Sequence, residues 1–107
     1  MKIAFSAQGE GWEALVNQKF GRAAGFALYD VDNDKLTYHS NGSNLNAEHG
    51  VGIQTAQFVA SLGANKVVTG GNVGPKATEV LNRAGIEIVE FVGEVPIKEA
   101  YNKIKNT

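Results

Sequence analysis

The sequence predicts an α/β domain in which one mixed sheet carries helices on its faces. Three observations lead there. Short β-branched runs alternate with amphipathic helical stretches through the second half of the chain. Those helices are punctuated by prolines at their starts and glycines at their ends. And 107 residues, 43% of them apolar, suffice for one domain with its own core.

Residues 2–6 are short and apolar and read as the first strand. Residues 7–25 are harder to place. Trp12, Leu15 and Val16 suit a short helical turn, yet glycines at 9, 11, 21 and 25 break any longer period. A connection of that length without its own structure is usually functional or mobile. Residues 26–31 form the second strand, Asp32-Asn33-Asp34 a hairpin turn, and residues 36–40 a third strand antiparallel to the second. Residues 41–48 have loop composition.

The stretch 49–75 organises the rest. Its helix shows Gln54, Gln57 and Ser61 on one polar stripe, with Val51, Ala56, Phe58, Val59 and Leu62 on the others. Gly63 or Asn65 ends it. Val67-Val68-Thr69 reads as a strand covered on both faces. The turn 70–74 then leads into a second helix that Pro75 opens, with Ala77, Val80, Leu81 and Ala84 on one face and Gly85 at its end. Residues 86–91 form a fifth strand, with Glu87 and Glu90 marking a sheet edge. Pro96 opens a third helix with the stripe Ile97, Ala100, Tyr101 and Ile104, and with Lys103 and Lys105 at the negative end of its dipole.

A β-β-β-α-β-α-β-α order has a geometric consequence. If the first strand is parallel to the fourth and the second runs against it, the loops after strands one, three and four share one edge of the sheet. Most of the 13 glycines fall in those loops. Ligands of open α/β sheets bind at the carboxyl ends of strands where the chain order switches direction, here between strands one and four. Two helices start at that edge, near Gly50 and Pro75, and their N–H groups and positive dipole ends favour an anion. Lys19 and Arg22 flank Phe20 and Gly21 in the first loop, and His49 precedes the first helix. Such a cleft suits a phosphate, a carboxylate or an anionic metal cluster. The plainer readings stand beside it. A histidine at a helix start serves more often as a cap or surface residue, an arginine more often as a solvated charge, and a glycine as turn chemistry. His39, inside the third strand, reads as exposed.

Composition narrows the chemistry. The net charge is −1, which leaves no electrostatic footprint for nucleic acid or an anionic membrane. With no cysteine there is no thiolate zinc site, no cysteine nucleophile and no thiolate-held cluster. The N-terminal residues lack the apolar run of a signal peptide and no stretch reaches membrane-spanning length, so the expectation is a soluble cytoplasmic protein. Residues 70–74 match neither GxGxxG nor the GK[ST] ending of a phosphate-binding P-loop. No Ser-His-Asp set sits in a nucleophile-elbow context. The first strand holds no acid, which argues against two-metal nuclease chemistry.

Several motifs recur together in one family. They are the start MKIAFSAQG; Phe20-Gly21-Arg22-Ala23; His49-Gly50-Val51-Gly52-Ile53-Gln54-Thr55-Ala56; Gly70-Gly71-Asn72-Val73-Gly74-Pro75 with Ala77 following; and Ala84-Gly85-Ile86. In this order and spacing they resemble the dinitrogenase iron–molybdenum cofactor biosynthesis family, the proteins similar to NifX and to the C-terminal part of NifB. The resemblance covers nearly the whole chain, residues 1–107. It implies a ribonuclease H-like fold, with a five-stranded mixed sheet of order 3-2-1-4-5, strand two antiparallel and helices on both faces. It further implies non-enzymatic binding or carriage of an iron–sulfur or iron–molybdenum cofactor, or its precursor, in concert with cofactor-assembly proteins. Where members often have histidine before Phe-Gly-Arg, this chain has Lys19, which leaves His49 as the main metal ligand. The expected cradle is Lys19, Phe20, Gly21, Arg22, Gly50, Gly52, Gly70, Gly71, Asn72 and Gly74. So few ligands suit transient carriage. Two rivals from other classes remain: a regulatory module binding a phosphate-bearing small molecule in the same cleft, and a protein-interaction domain using an edge strand.

Overall fold

The computed structural model describes residues 1–42 and 50–105. Its elements are β1 (Lys2–Ala7), β2 (Gly25–Asp30), β3 (Lys35–Ser40), α1 (Val51–Ser61), β4 (Lys66–Val68), α2 (Pro75–Arg83), β5 (Glu87–Val89) and α3 (Ile97–Lys105). The sheet has the order β3-β2-β1-β4-β5. β2 is antiparallel to both neighbours, while β1, β4 and β5 pair in parallel. The chain thus leaves β1 toward one side of the sheet and β4 toward the other, and the switch point falls between them as the topology argument expects.

Strand alternation divides the core into two layers. Ala4, Phe26, Leu28 and Val67 point to the face covered by α1 and α2, where Ala56, Val59, Ala77 and Leu81 meet them. Ile3, Phe5, Ala27, Tyr29 and Val68 point to the opposite face, where Ile97, Ala100 and Ile104 of α3 close over them. The stripes read from the sequence are the buried ones. Gln54, Gln57 and Ser61 face out of α1, and Gly63, at φ 80°, provides the left-handed residue after its end. In α2 the burial stops at Leu81, and Ala84 is exposed where the chain leaves the helix.

Segment 8–17 departs from both expectations, since it is neither a helical turn nor a loose connection. It folds back along the end of β1, bridging Ala7 to Val16 and Leu15 to Pro96. The amides of Gln8 and Asn17 donate to the Leu15 and Ser6 carbonyls at 2.9 and 2.7 Å. The carbonyls of Ala14 and Trp12 accept from the first amides of α3, Ile97 (2.8 Å) and Lys98 (3.1 Å). These bonds satisfy N–H groups that have no partner within the helix. Trp12 then stacks edge-on to Tyr29 (4.8 Å between centroids) and lies 5.9 Å from Tyr101. β5 is also shorter than the expected 86–91, because Phe91 takes a left-handed φ of 62° and turns the chain off the sheet edge. His39 is half-buried, with Nε2 3.0 Å from the Thr37 hydroxyl.

Truncating Leu81, fully buried under the sheet, to alanine is expected to cost about 2–5 kcal/mol in urea unfolding. A second expectation concerns alkaline pH. The Tyr29 phenol donates to Asp34 Oδ1 at 2.7 Å. That bond, followed by burial and the charge of Asp34, pushes its pKa from the ordinary 10.0 up to about 12. The folded state therefore keeps a proton that the unfolded state releases first. This stabilisation is complete below pH 10 and is lost as the pH rises toward about 12. The urea midpoint of Tyr29→Phe should fall less over that window than that of the parent protein.

Candidate functional site

At the carboxyl end of the central strands, the loops after β1 and β4 are joined by their main chains. The carbonyl oxygen of Asn17 accepts three hydrogen bonds: from Ser6 Oγ at 2.7 Å, from the Gly70 amide at 3.0 Å and from Thr69 Oγ1 at 3.3 Å. The Ser6 and Thr69 hydroxyl oxygens lie 3.0 Å apart, and both side chains are fully buried. This contact explains two glycines. A Cβ on Gly71 would collide with the Gln18 carbonyl oxygen, and one on Gly70 would lie 2.9 Å from the Gly93 carbonyl oxygen and 3.1 Å from the Gln18 Cα. Neither position admits a side chain without moving backbone.

A second polar knot holds the loop 20–22 against α1. The Gly21 carbonyl accepts from Thr55 Oγ1 at 3.0 Å and from Asn41 Nδ2 at 3.2 Å, and Asn41 Nδ2 also reaches the Ala23 carbonyl at 3.1 Å. Asn41 and Thr55 are fully buried. Phe20 anchors the same loop from below, 2% exposed and edge-on to Phe26 at 5.5 Å. Gly21 comes so close to α1 that an added Cβ would lie 3.3 Å from the Gly52 backbone.

Between the knots lies an open cleft of about 350 Å³ lined by Gln18, Lys19, Phe20, Gly21, Arg22, Val51, Gly52, Asn72 and Val73. Two helices begin at its walls. α1 starts after Gly50 (φ 70°) and α2 after Gly74 (φ 92°). Neither is capped by a side chain, and neither has an acidic residue in its first turn. The two starts are neighbours, since a Cβ on Gly52 would lie 3.5 Å from that of Ala77. Their dipoles place positive potential at the cleft, reinforced by the exposed Lys19 and Arg22.

The structure thus gathers Lys19, Gly21, Arg22, Gly52 and Asn72 on the cleft walls. Gly50 and Gly74 stand at the helix starts, and Gly71 and the buried Gly70 form the joint beneath. Phe20 borders the cleft as an anchor of its floor, its ring turned into the core. His49 lies outside the described residues, as does most of the loop expected over 41–48. The sequence reading missed Gln18, Val51 and Val73 on the walls and the buried Asn41 and Thr55 behind them. Asn41 was hidden in a stretch of loop composition, and Thr55 in a helix otherwise read for its apolar faces.

A scan against family models matches the dinitrogenase iron–molybdenum cofactor family over residues 1–107. The chain belongs to that family. Membership associates it with iron–molybdenum cofactor biosynthesis. The apo form of the orange protein from Desulfovibrio gigas superposes with a TM-score of 0.94 at 37% identity, covering 98% of this chain and 87% of that one. A putative NifB protein from Thermotoga, solved by NMR, superposes at 0.81 with 27% identity and the same coverages. An uncharacterized protein of Methanocaldococcus jannaschii is 32% identical over 71 residues, 64% of this chain, and the match spans only 59% of that relative's length.

The donor set decides how this cleft could hold a metal-containing group. Among the described residues, no group of three or more His, Asp or Glu side chains is placed to hold a metal ion. What the cleft offers is N–H groups and cationic side chains. That fits a metal cluster taken as a whole anion, through its outer sulfur or oxygen atoms, and does not fit encasement of a bare cation. Among the described residues, no helix is long and apolar enough to cross a membrane.

The joint beneath the cleft yields a prediction. Gly71→Ala should cost about 1–3 kcal/mol in chemical denaturation, because backbone must move to admit the methyl group. The amide resonances of Gln18, Lys19 and Asn72 should shift with it, while those of β2 and β3 stay in place.

Proposed function

We propose that this chain is a non-enzymatic carrier of an anionic metal–sulfur cofactor, an iron–sulfur or iron–molybdenum cluster or its precursor, during metallocofactor assembly. The observation that carries the reading is the meeting of two side-chain-uncapped helix starts with Lys19 and Arg22 in one glycine-walled cleft, in a member of this family. Lys19, Gly21, Arg22, Gly52 and Asn72 contact the cargo. Gly50 and Gly74 leave the two helix starts open to it, and Phe20, Gly70 and Gly71 hold the walls. His49, directly before Gly50 in the sequence, supplies one imidazole ligand. One ligand and a shell of hydrogen bonds leave the cargo exchangeable, as delivery to a cofactor-assembly protein requires. Among the described residues, the cleft lining offers hydrogen-bond donors and cationic side chains, which suits binding and release.

The test is an anaerobic titration of ¹⁵N-labelled protein with an iron–sulfur or iron–molybdenum cofactor, read by amide NMR. Paramagnetic broadening should be confined to residues 19–22, 50–52 and 70–74. His49→Ala should weaken it about tenfold or more, the loss typical of a metal ligand or its support. Unbroadened cleft amides in the cofactor titration, with shifts there on adding a nucleotide, would move the assignment to a phosphate-binding regulatory module.

A further inference from the structure

One carboxylate lies against the cleft wall. The amide of Val73, a wall residue, donates to Glu90 Oε2 at 2.7 Å. That length is typical of a charge-assisted hydrogen bond. Glu90 sits just beyond the end of β5, on a stretch fastened to the glycine turn by its main chain. Thr69 donates to the Val89 carbonyl (3.0 Å), Phe91 to Gly71 (3.0 Å), Val92 to Thr69 (3.3 Å) and Gly93 to Gly70 (3.2 Å). Between these bonds Phe91 holds a left-handed φ of 62° and is 71% exposed. An exposed phenylalanine in that conformation costs stability and gains no packing in return. What the conformation achieves is the turn that brings residue 90 back onto Val73.

The geometry points to Glu90 as a specificity-determining residue of the cleft, a built-in negative charge that limits how tightly an anion is held. This inference rests on the reading of the cleft as an anion site. The carboxylate has two separable effects there. Its oxygen, as an acceptor, keeps the Val73 amide and the 70–74 turn in place. Its charge opposes the positive potential that Lys19, Arg22 and the two helix starts create. The opposition grows with the charge of the ligand, so Glu90 penalises a dianion more than a monoanion and keeps a multiply charged ligand releasable.

Glu90→Gln separates the two effects, because the amide keeps an acceptor oxygen and loses the charge. The probe is inorganic phosphate, titrated into ¹⁵N-labelled protein at neutral pH and followed at the amides of Gly52, Asn72 and Val73. The variant should bind phosphate about two- to fivefold more tightly at low salt, the size expected of one solvent-exposed charge interaction. The gain should vanish near 1 M salt, where screening acts over about 3 Å. It should also be smaller for formate, a monoanion. Glu90→Ala, which loses the acceptor as well, should speed hydrogen exchange at Val73. Cleft amides that respond to phosphate equally in the parent and in Glu90→Gln, or more weakly in the variant, would overturn the role of Glu90 and leave the anion cleft standing. Cleft amides silent to phosphate in both proteins would overturn the anion cleft, and the role of Glu90 with it.

Discussion

The carbonyl oxygen of Asn17 is where the two halves of this fold are joined. It draws in Ser6 near the end of β1, the threonine that follows β4 and the first glycine of the turn beyond. Its two hydroxyl donors, on Ser6 and Thr69, are fully buried, where a hydrogen bond is stronger than one in open water. The join fixes the distance between two loops that are over 50 residues apart in sequence. It also forces their main chains so close that only hydrogen fits at position 71. The cleft inherits its shape from this contact. Two of its walls, residues 18–22 and residues 72–73, continue directly from the joined segments, and the start of α1 supplies the third.

The three helices α1, α2 and α3, among the described residues, divide their dipoles unequally. α3 starts at the same edge of the sheet as α1 and α2, but on the other face, and there the Trp12 and Ala14 carbonyls take up its first amides. α1 and α2 start behind glycines, with no side chain in the capping role. A capped helix start is electrostatically quiet, and one preceded by glycine leaves its amides for another partner. Among the described residues, the helix starts without side-chain caps therefore meet on one face of the edge. The buried Asn41–Thr55 pair sustains that asymmetry by holding the Phe20–Arg22 loop over the start of α1.

Local patterns made most of the fold legible. The β-branched run at 67–69, the prolines at 75 and 96 and the glycines at 63 and 85 act within a few residues of themselves, so reading them needs no knowledge of the partner. Segment 8–17 was opaque for the opposite reason. Three of its hydrogen bonds join residues 12–16 to residues 95–98, and nothing within the segment announces them. The cleft was legible as a place, because strand order and helix starts follow from the pattern, and Lys19 and Arg22 lie beside the motif that marks the loop. Its supports were not. The amide of Asn41 and the hydroxyl of Thr55 are valued for the carbonyl they meet, and a sequence does not show what a buried polar atom faces. Phe20 illustrates the same limit from the other side: the aromatic of the Phe-Gly-Arg stretch is buried against Phe26 as the peg that seats the loop.

The fastening of α3 to segment 8–17 gives the end of the chain a hold on its beginning. The last helix seats against the folded-back stretch after the first strand, and that stretch runs straight into the joint at Asn17. The bridge from Leu15 to Pro96 closes a loop of about 80 residues, and such long closures carry a larger entropic cost than local ones. In mechanical terms α3 is a buckle. Pulling or trimming the C-terminus slackens a strap whose far end is the cleft wall, although no residue of the helix touches the cleft.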